Sequence, residues 1–257
     1  MGRVIAICQE KGGVGKTTST YHLAAAAVRT GAKVLCIDLD PQANLTKWVA
    51  GESPAPDQLS VADALSEQAG DVTLDDVLIE GRWNGLTLAP AVKTPLSRAR
   101  NELVMATTGR EARLRRLLEP IRDDYDLTLI DGPPDVSLLT INALVAADAV
   151  VPPCAPAELS LDGLAELMVT VESVREHYNQ DLQLGGVIIN QVRRTRTSRD
   201  REAEVRGSGL RVLSPSVPFR VEIQDCAESG ARLEEWPGGY ALADIYLNLL
   251  QQLIKEN

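Results

Sequence analysis

Short apolar, β-branched runs recur along the chain at 3–8 (RVIAIC), 33–38 (KVLCID), 86–90, 127–132 (LTLIDG), 148–153, 184–190 (LGGVIIN) and 210–218. They are apolar at consecutive positions rather than at alternate ones, the pattern of parallel strands covered by helices on both faces. Between them lie stretches with helical spacing: 16–31, ending in a Gly31 suited to a helix C-terminus, then 95–106, 109–122, 137–147, 160–178, 197–207 and 238–255. Strand-then-helix alternation predicts one α/β domain over 1–257. Its sheet is expected to be doubly wound and mostly parallel, with helices on both faces and ligands at the carboxyl ends of the strands. The stretch 51–85, with Pro54, Pro56 and several acids, breaks the rhythm and reads as a surface excursion.

Composition narrows the class. Only 4% of the 257 residues are aromatic, so the core must be aliphatic. No apolar run approaches the roughly 20 residues that span a bilayer, and the N-terminus reaches its glycines too early for a signal peptide. Cys8, Cys36, Cys154 and Cys226 are scattered without a CxxC spacing, and His22 and His177 stand apart. A metal cluster built from protein ligands is therefore not expected, and the chain reads as reduced and cytosolic. A net charge of −10 argues against a globally basic nucleic-acid binder, but seven arginines fall between Arg193 and Arg211, opposed only by Asp200, Glu202 and Glu204. Electrostatic footprints are patches rather than averages.

The chemistry concentrates in three segments. "KGGVGKTT" (11–18) follows a strand and opens a helix, so that Gly12, Gly13, Val14 and Gly15 present backbone N–H groups to an anion at a helix N-terminus. Lys16 would reach β- and γ-phosphates, the Thr17 hydroxyl would ligate Mg²⁺, and Thr18 would donate to a phosphate. "IDLDPQANLT" (37–46) ends a strand with Asp38 and Asp40 two positions apart, a spacing that turns both carboxylates to one face. "LTLIDGPPDVSLLTINAL" (127–144) is a buried run ending in Asp131, in the place of a Mg²⁺-holding Walker-B acid.

The lysine ahead of the first glycine narrows the match. "KGGVGKT", with "DLDPQANLT" and "PPDVSLLTINAL", resembles the deviant Walker-A P-loop ATPases and, within them, the ParA partition ATPases, over about residues 3–250. The resemblance implies that Lys11 acts in trans on the ATP of a second subunit, coupling nucleotide binding to a sandwich homodimer. It implies that Asp40 positions the attacking water and that Asp38 supports Mg²⁺. Asn190 falls where the family hydrogen-bonds adenine, and Pro218 where it lines the base. Gly132 departs from the family's small polar residue. The expected cofactors are ATP and Mg²⁺. The expected partners are non-specific double-stranded DNA and a ParB-type centromere-binding protein, in a cytoplasmic, nucleoid-associated short form without an N-terminal DNA-reading domain.

Other branches of the superfamily fit less well. The CxxC of its iron–sulfur carriers and the tyrosine cluster of its autokinases are missing. The C-terminal helix carries Leu242, Ile245, Leu249 and Leu253 at helical spacing but only Lys255 as a cation, against Asp244 and Glu256, so it is expected to pack on the sheet rather than on a membrane. A MinD-like positioning ATPase for a protein cargo and a dethiobiotin-synthetase-type ligase remain the alternatives. For DNA the expected contacts are Arg193, Arg194, Arg196, Arg199 and Arg220. The competing expectation is a solvated helix whose arginines pair with its own acids. Phe219 and Glu222 stand where related ATPases keep arginines.

Overall fold

The computed structural model describes residues 2–50, 55, 57–156 and 160–254. Its strands are β1 (Arg3–Ile7), β2 (Val34–Asp38), β3 (Ile79–Glu80), β4 (Leu86–Ala89), β5 (Leu127–Asp131), β6 (Ala149–Val150), β7 (Pro153–Cys154), β8 (Gln183–Leu184) and β9 (Ile188–Ile189). Seven of them form a sheet in the order β3-β4-β2-β5-β1-β6-β8, and β7 pairs with β9. Every pairing is parallel except that of β3 with β4 at the edge.

Alternation along the central strands divides the core. In β1, Val4 and Ala6 point to one face and Ile5 and Ile7 to the other; in β2, Leu35 and Ile37 oppose Val34 and Cys36. The first face is covered by α3 (Val61–Leu65), α4 (Lys93–Met105), α5 (Arg113–Leu118), α6 (Leu138–Ala146) and α7 (Ser160–His177). The second is covered by α1 (Lys16–Arg29), α2 (Asn44–Ala50), α9 (Val221–Ser229) and α10 (Tyr240–Ile254). The arginine-rich α8 (Arg196–Arg206) lies beside a small satellite cluster through Val205. All four cysteines are free and buried. The α10 stripe meets the second face, with Leu249 and Leu253 fully buried; Lys255 and Glu256 lie outside the described residues. No helix among the described residues is long and apolar enough to cross a membrane.

Two expectations are corrected. The 51–85 stretch is not a surface excursion: Val61, Leu65, Leu74 and Val77 are fully buried, and α3 opens with a Ser60–Asp63 capping box. Its elements are too short for periodicity to reveal, and Pro54 and Pro56 lie outside the described residues. The 210–218 run is not a strand. It makes only isolated bridges, Val187–Val212 and Val192–Pro218, because Pro215 and Pro218 lack the N–H a ladder needs. Helices α2 and α9 were not anticipated, and the 109–122 helix is short, continuing as a 3₁₀ segment over Glu119–Asp124.

Candidate functional site

β1, β2 and β5 end in step, with Asp131 in register with both Ile7 and Asp38. The glycine loop crosses this edge. Gly13 and Gly15 take left-handed φ of 77° and 87°, which only glycine adopts freely, and a β-carbon at 15 would collide with the Asn190 amide. Lys16, the first residue of α1, is buried, and its Nζ donates to the Lys11 carbonyl at 2.9 Å. Burial pulls its pKa down, opposed by the charges of Asp131, Cys8, Asp40 and Asp135. A buried ammonium folded back on the carbonyl of its own loop is a cation ready to exchange that acceptor for a stronger, anionic one.

The far strand holds the loop as well. Asn190 Nδ2 donates to the Val14 carbonyl at 3.0 Å and Gln191 Nε2 to that of Gly13 at 2.8 Å. Asn190 therefore lies against the loop expected to hold phosphates, and Pro218 adjoins it through the bridge to Val192. The Lys11 side chain runs along α7, where a β-carbon on Gly163 would sit 3.5 Å from its Cε. Gly132 has a local reason: a β-carbon there would lie 2.7 Å from Cys8 Sγ. That thiol is pushed up to about 12 by burial and is inert.

The acids divide by role. Asp131 is fully buried; its Oδ1 accepts from Thr20 Oγ1 at 3.1 Å and its Oδ2 has no hydrogen-bond partner among the described residues. Burial and then the neighbouring Asp38 push its pKa well up, opposed by the Thr17 hydroxyl. An orphaned carboxylate oxygen beside a threonine hydroxyl fits Mg²⁺, which takes few protein ligands and shares the rest with substrate phosphates and water. Asp38 is held on both oxygens. Its Oδ1 accepts from the Asp40 N–H at 3.0 Å and its Oδ2 from Thr46 N and Oγ1 at 2.8 and 2.7 Å; Thr46 Oγ1 in turn accepts from Ala91 N at 2.8 Å. Asp38 thus ties β2 to α2 while lying in register with Asp131. Period-2 alternation stops with the strand at Asp38, and Asp40 lies in the following turn, its Oδ1 accepting from Gln42 N at 2.9 Å. Burial raises the Asp40 pKa, against Gln42 and Lys16.

These groups line an open cleft of about 330 Å³, in which Gly12, Gly15, Lys16, Thr17, Thr18 and Asp40 are joined by Trp48, Gln191, Gln224 and Glu228. Trp48, Gln224 and Glu228 went unread because they lie on α2 and α9. A cleft of about 450 Å³ among Glu67, Arg98, Met105 and Arg113 is larger but contains none of the loop residues.

The arginines are only partly gathered. Arg193 stacks on Phe219 at 4.0 Å. On α8, Arg196 pairs with Asp200 at 3.7 Å, Arg201 with Glu204 at 2.7 Å and Arg206 with Glu202 at 3.0 Å. Arg194 and Arg199 are exposed beside them, and Arg220 precedes α9.

A parallel sheet whose first strand runs through a glycine loop into a helix opening on a buried lysine, with a buried acid on the adjacent strand, defines a P-loop nucleotide-binding protein. A family model described as an AAA domain matches residues 2–184. Over 255 residues the chain is 35% identical to the sporulation initiation inhibitor protein Soj of Bacillus subtilis, covering 98% of each. It is 35% identical to the chromosome partitioning protein ParA of Caulobacter vibrioides, over 98% of this chain and 94% of that one. Among solved structures it is similar to one named cobyrinic acid a,c-diamide synthase from Mycobacterium smegmatis, with bound ADP and magnesium, at 35% identity and a TM-score of 0.79, covering 89% and 91% of the two chains. The chain belongs to the ParA/MinD-type ATPases.

Proposed function

We propose that this protein binds Mg·ATP, closes into an ATP-sandwich homodimer, binds duplex DNA without reading its sequence, and is reset by hydrolysis. The observation that carries the reading is Lys16: a buried cation facing Asp40 and Asp131, satisfied in the meantime by a carbonyl of its own loop. ATP would take the Lys16 ammonium onto its β- and γ-phosphates, while the glycine-loop amides and Thr18 hold the remaining oxygens. Thr17 and the Asp131 Oδ2 would hold Mg²⁺, which supplies charge neutralisation to the phosphates. Asp38, tied to Thr46 and in register with Asp131, would support the Mg²⁺ site. Asp40 would orient the attacking water, and Lys11 would serve the γ-phosphate of a second copy. Asn190 would exchange the Val14 carbonyl for the adenine edge, beside Pro218. Slow turnover is expected without a partner that orders the site. That partner is read as a ParB-type protein, and the location as the nucleoid.

The test is duplex-DNA binding with ATP, ADP or no nucleotide across a salt series. Binding with ATP alone, falling steeply with salt, is the expected result. Hydrolysis without DNA binding in any nucleotide state overturns it. One observation favours a second reading, a positioning ATPase for a protein cargo: three α8 arginines are already paired with α8 acids, which lowers the net positive charge offered to phosphates. That reading expects hydrolysis indifferent to DNA.

A further inference from the structure

One more carboxylate directly follows Pro134, which lines the cleft. Asp135 lies beyond Asp131, in the 132–137 turn that leads to α6, where its backbone carbonyl accepts from Thr140 Oγ1 at 2.6 Å. Its Oδ2 lies 3.5 Å from Nη1 of Arg100 on α4. The side chain is 42% exposed as a whole, but its Oδ1 is buried with no hydrogen-bond partner among the described residues. Its neighbour Pro134 lines the cleft beside Lys16 and Asp40, and its charge acts on both of them, so the orphaned acceptor stands close to where a γ-phosphate would arrive.

A buried acceptor left without a donor is costly unless the working state supplies one. Hydrolysis supplies a water with two O–H bonds. Holding that water with a lone pair aimed at phosphorus takes two acceptors rather than one, because one leaves it free to rotate. Asp40 has already given one oxygen to the Gln42 N–H. Asp135 Oδ1 is a second acceptor with no competing donor. When phosphates draw Lys16 away, Arg100 is the cation that remains beside Asp135 to offset its repulsion from the incoming anion.

We propose that Asp135, braced by Arg100, is a second water-positioning residue for ATP hydrolysis, sharing the attacking water with Asp40. The inference rests on the ATPase reading above. In the step itself the water oxygen bonds to the γ-phosphorus as the bond to the β,γ-bridging oxygen breaks. ADP keeps that electron pair, and the water proton leaves with inorganic phosphate. Asp135 and Arg100 set the direction of approach and carry no covalent intermediate.

The experiment compares the full-length wild type with Asp135→Asn, Asp135→Glu, Arg100→Ala and Asp40→Ala, and with Asp40→Ala combined with Asp135→Asn. For each, kcat is measured at saturating Mg·ATP, together with the Kd of a non-hydrolysable ATP analogue and the melting temperature. Asp135→Asn is expected to lower kcat roughly ten-fold or more with analogue affinity and melting unchanged. Asp135→Glu recovers part of the loss, and Arg100→Ala gives a smaller loss of the same kind. The double variant is expected to be little slower than Asp40→Ala alone, as for residues that act as a unit. Wild-type kcat in Asp135→Asn, or a loss confined to affinity or melting, overturns the inference alone. A wild type that binds the analogue yet does not hydrolyse ATP overturns the ATPase reading, and this inference with it.

Discussion

At the carboxyl edge of the sheet Asp38 and Asp131 are fully buried and Lys16 nearly so, while on α8 Arg196 is 92% exposed and its partner Asp200 66%. The same kinds of charge thus meet opposite physics within one chain. Buried charges must be matched by neighbours or shift towards neutrality, so each position at the edge is tied to particular partners: Asp38 to Thr46, Asp131 to Thr20, Lys16 to a carbonyl. Exposed pairs are screened and worth about 0–1 kcal/mol each, so α8 tolerates many arrangements of the same residues. A single substitution should therefore be decisive at the first region and graded at the second.

The largest expected effect is at Lys16. Lys16→Ala should weaken Mg·ATP binding roughly 100-fold or more, as loss of a buried charge-assisted contact does; calorimetric titration that finds near-normal affinity would sink the assignment. Next comes Lys11→Ala, which should bind ATP as the wild type does yet stay monomeric in analytical ultracentrifugation with ATP. A normal ATP dimer would remove the lysine from the partner's site.

A third effect appears in stability against pH. Burial pushes the Asp38 carboxyl up to about 6 from its ordinary 3.8. A raised native pKa means that the folded state binds the proton more tightly than the unfolded one. Asp38 therefore lowers stability as pH rises from about 4 through 6, after which its contribution is flat. Asp38→Asn should flatten that part of the urea-denaturation profile relative to wild type; an unchanged slope would contradict the raised pKa. The smallest effect is at α8 and the turn before it. Arg194→Ala and Arg199→Ala should each change stability by less than about 0.5 kcal/mol and should each make the salt dependence of ATP-gated DNA binding shallower by roughly one unit of slope. Melting scans and a salt titration check both; an unaltered slope would move the DNA contact elsewhere.

What the chain revealed before its structure follows the same division. The glycine loop and Asp131 were legible because their chemistry demands a fixed residue type in a fixed context: glycine where φ is positive, an acid at the end of a buried strand. The positions of Asp38 and Asp40 were only half legible: β2 ends at Asp38, so period-2 reasoning does not reach Asp40, and the Thr46 that bonds Asp38 lies on a helix of seven residues. Helix α2, α9 and the buried 61–77 segment share that difficulty. Each is too short for a periodic stripe, and each is held by contacts to distant parts of the chain, such as the Val61 N–H donating to the Pro90 carbonyl at 2.9 Å. The pairing of α8 was visible as an alternative in its i,i+3 and i,i+4 charges, and the stacking of Arg193 on Phe219 was not, because those residues meet only in three dimensions.

The three tryptophans also fall unevenly. Trp48, Trp83 and Trp236 all pack on the face covered by α1, α2, α9 and α10, and none on the other. Tyr21 stands between two of them, with ring centroids 6.0 Å from Trp48 and 5.1 Å from Trp83. Of the three, Trp48 alone borders the cleft. The tryptophan emission of this protein is consequently a one-sided instrument: it would register an occupant of the cleft and the loosening of one layer, while the α3–α7 layer came apart in the dark.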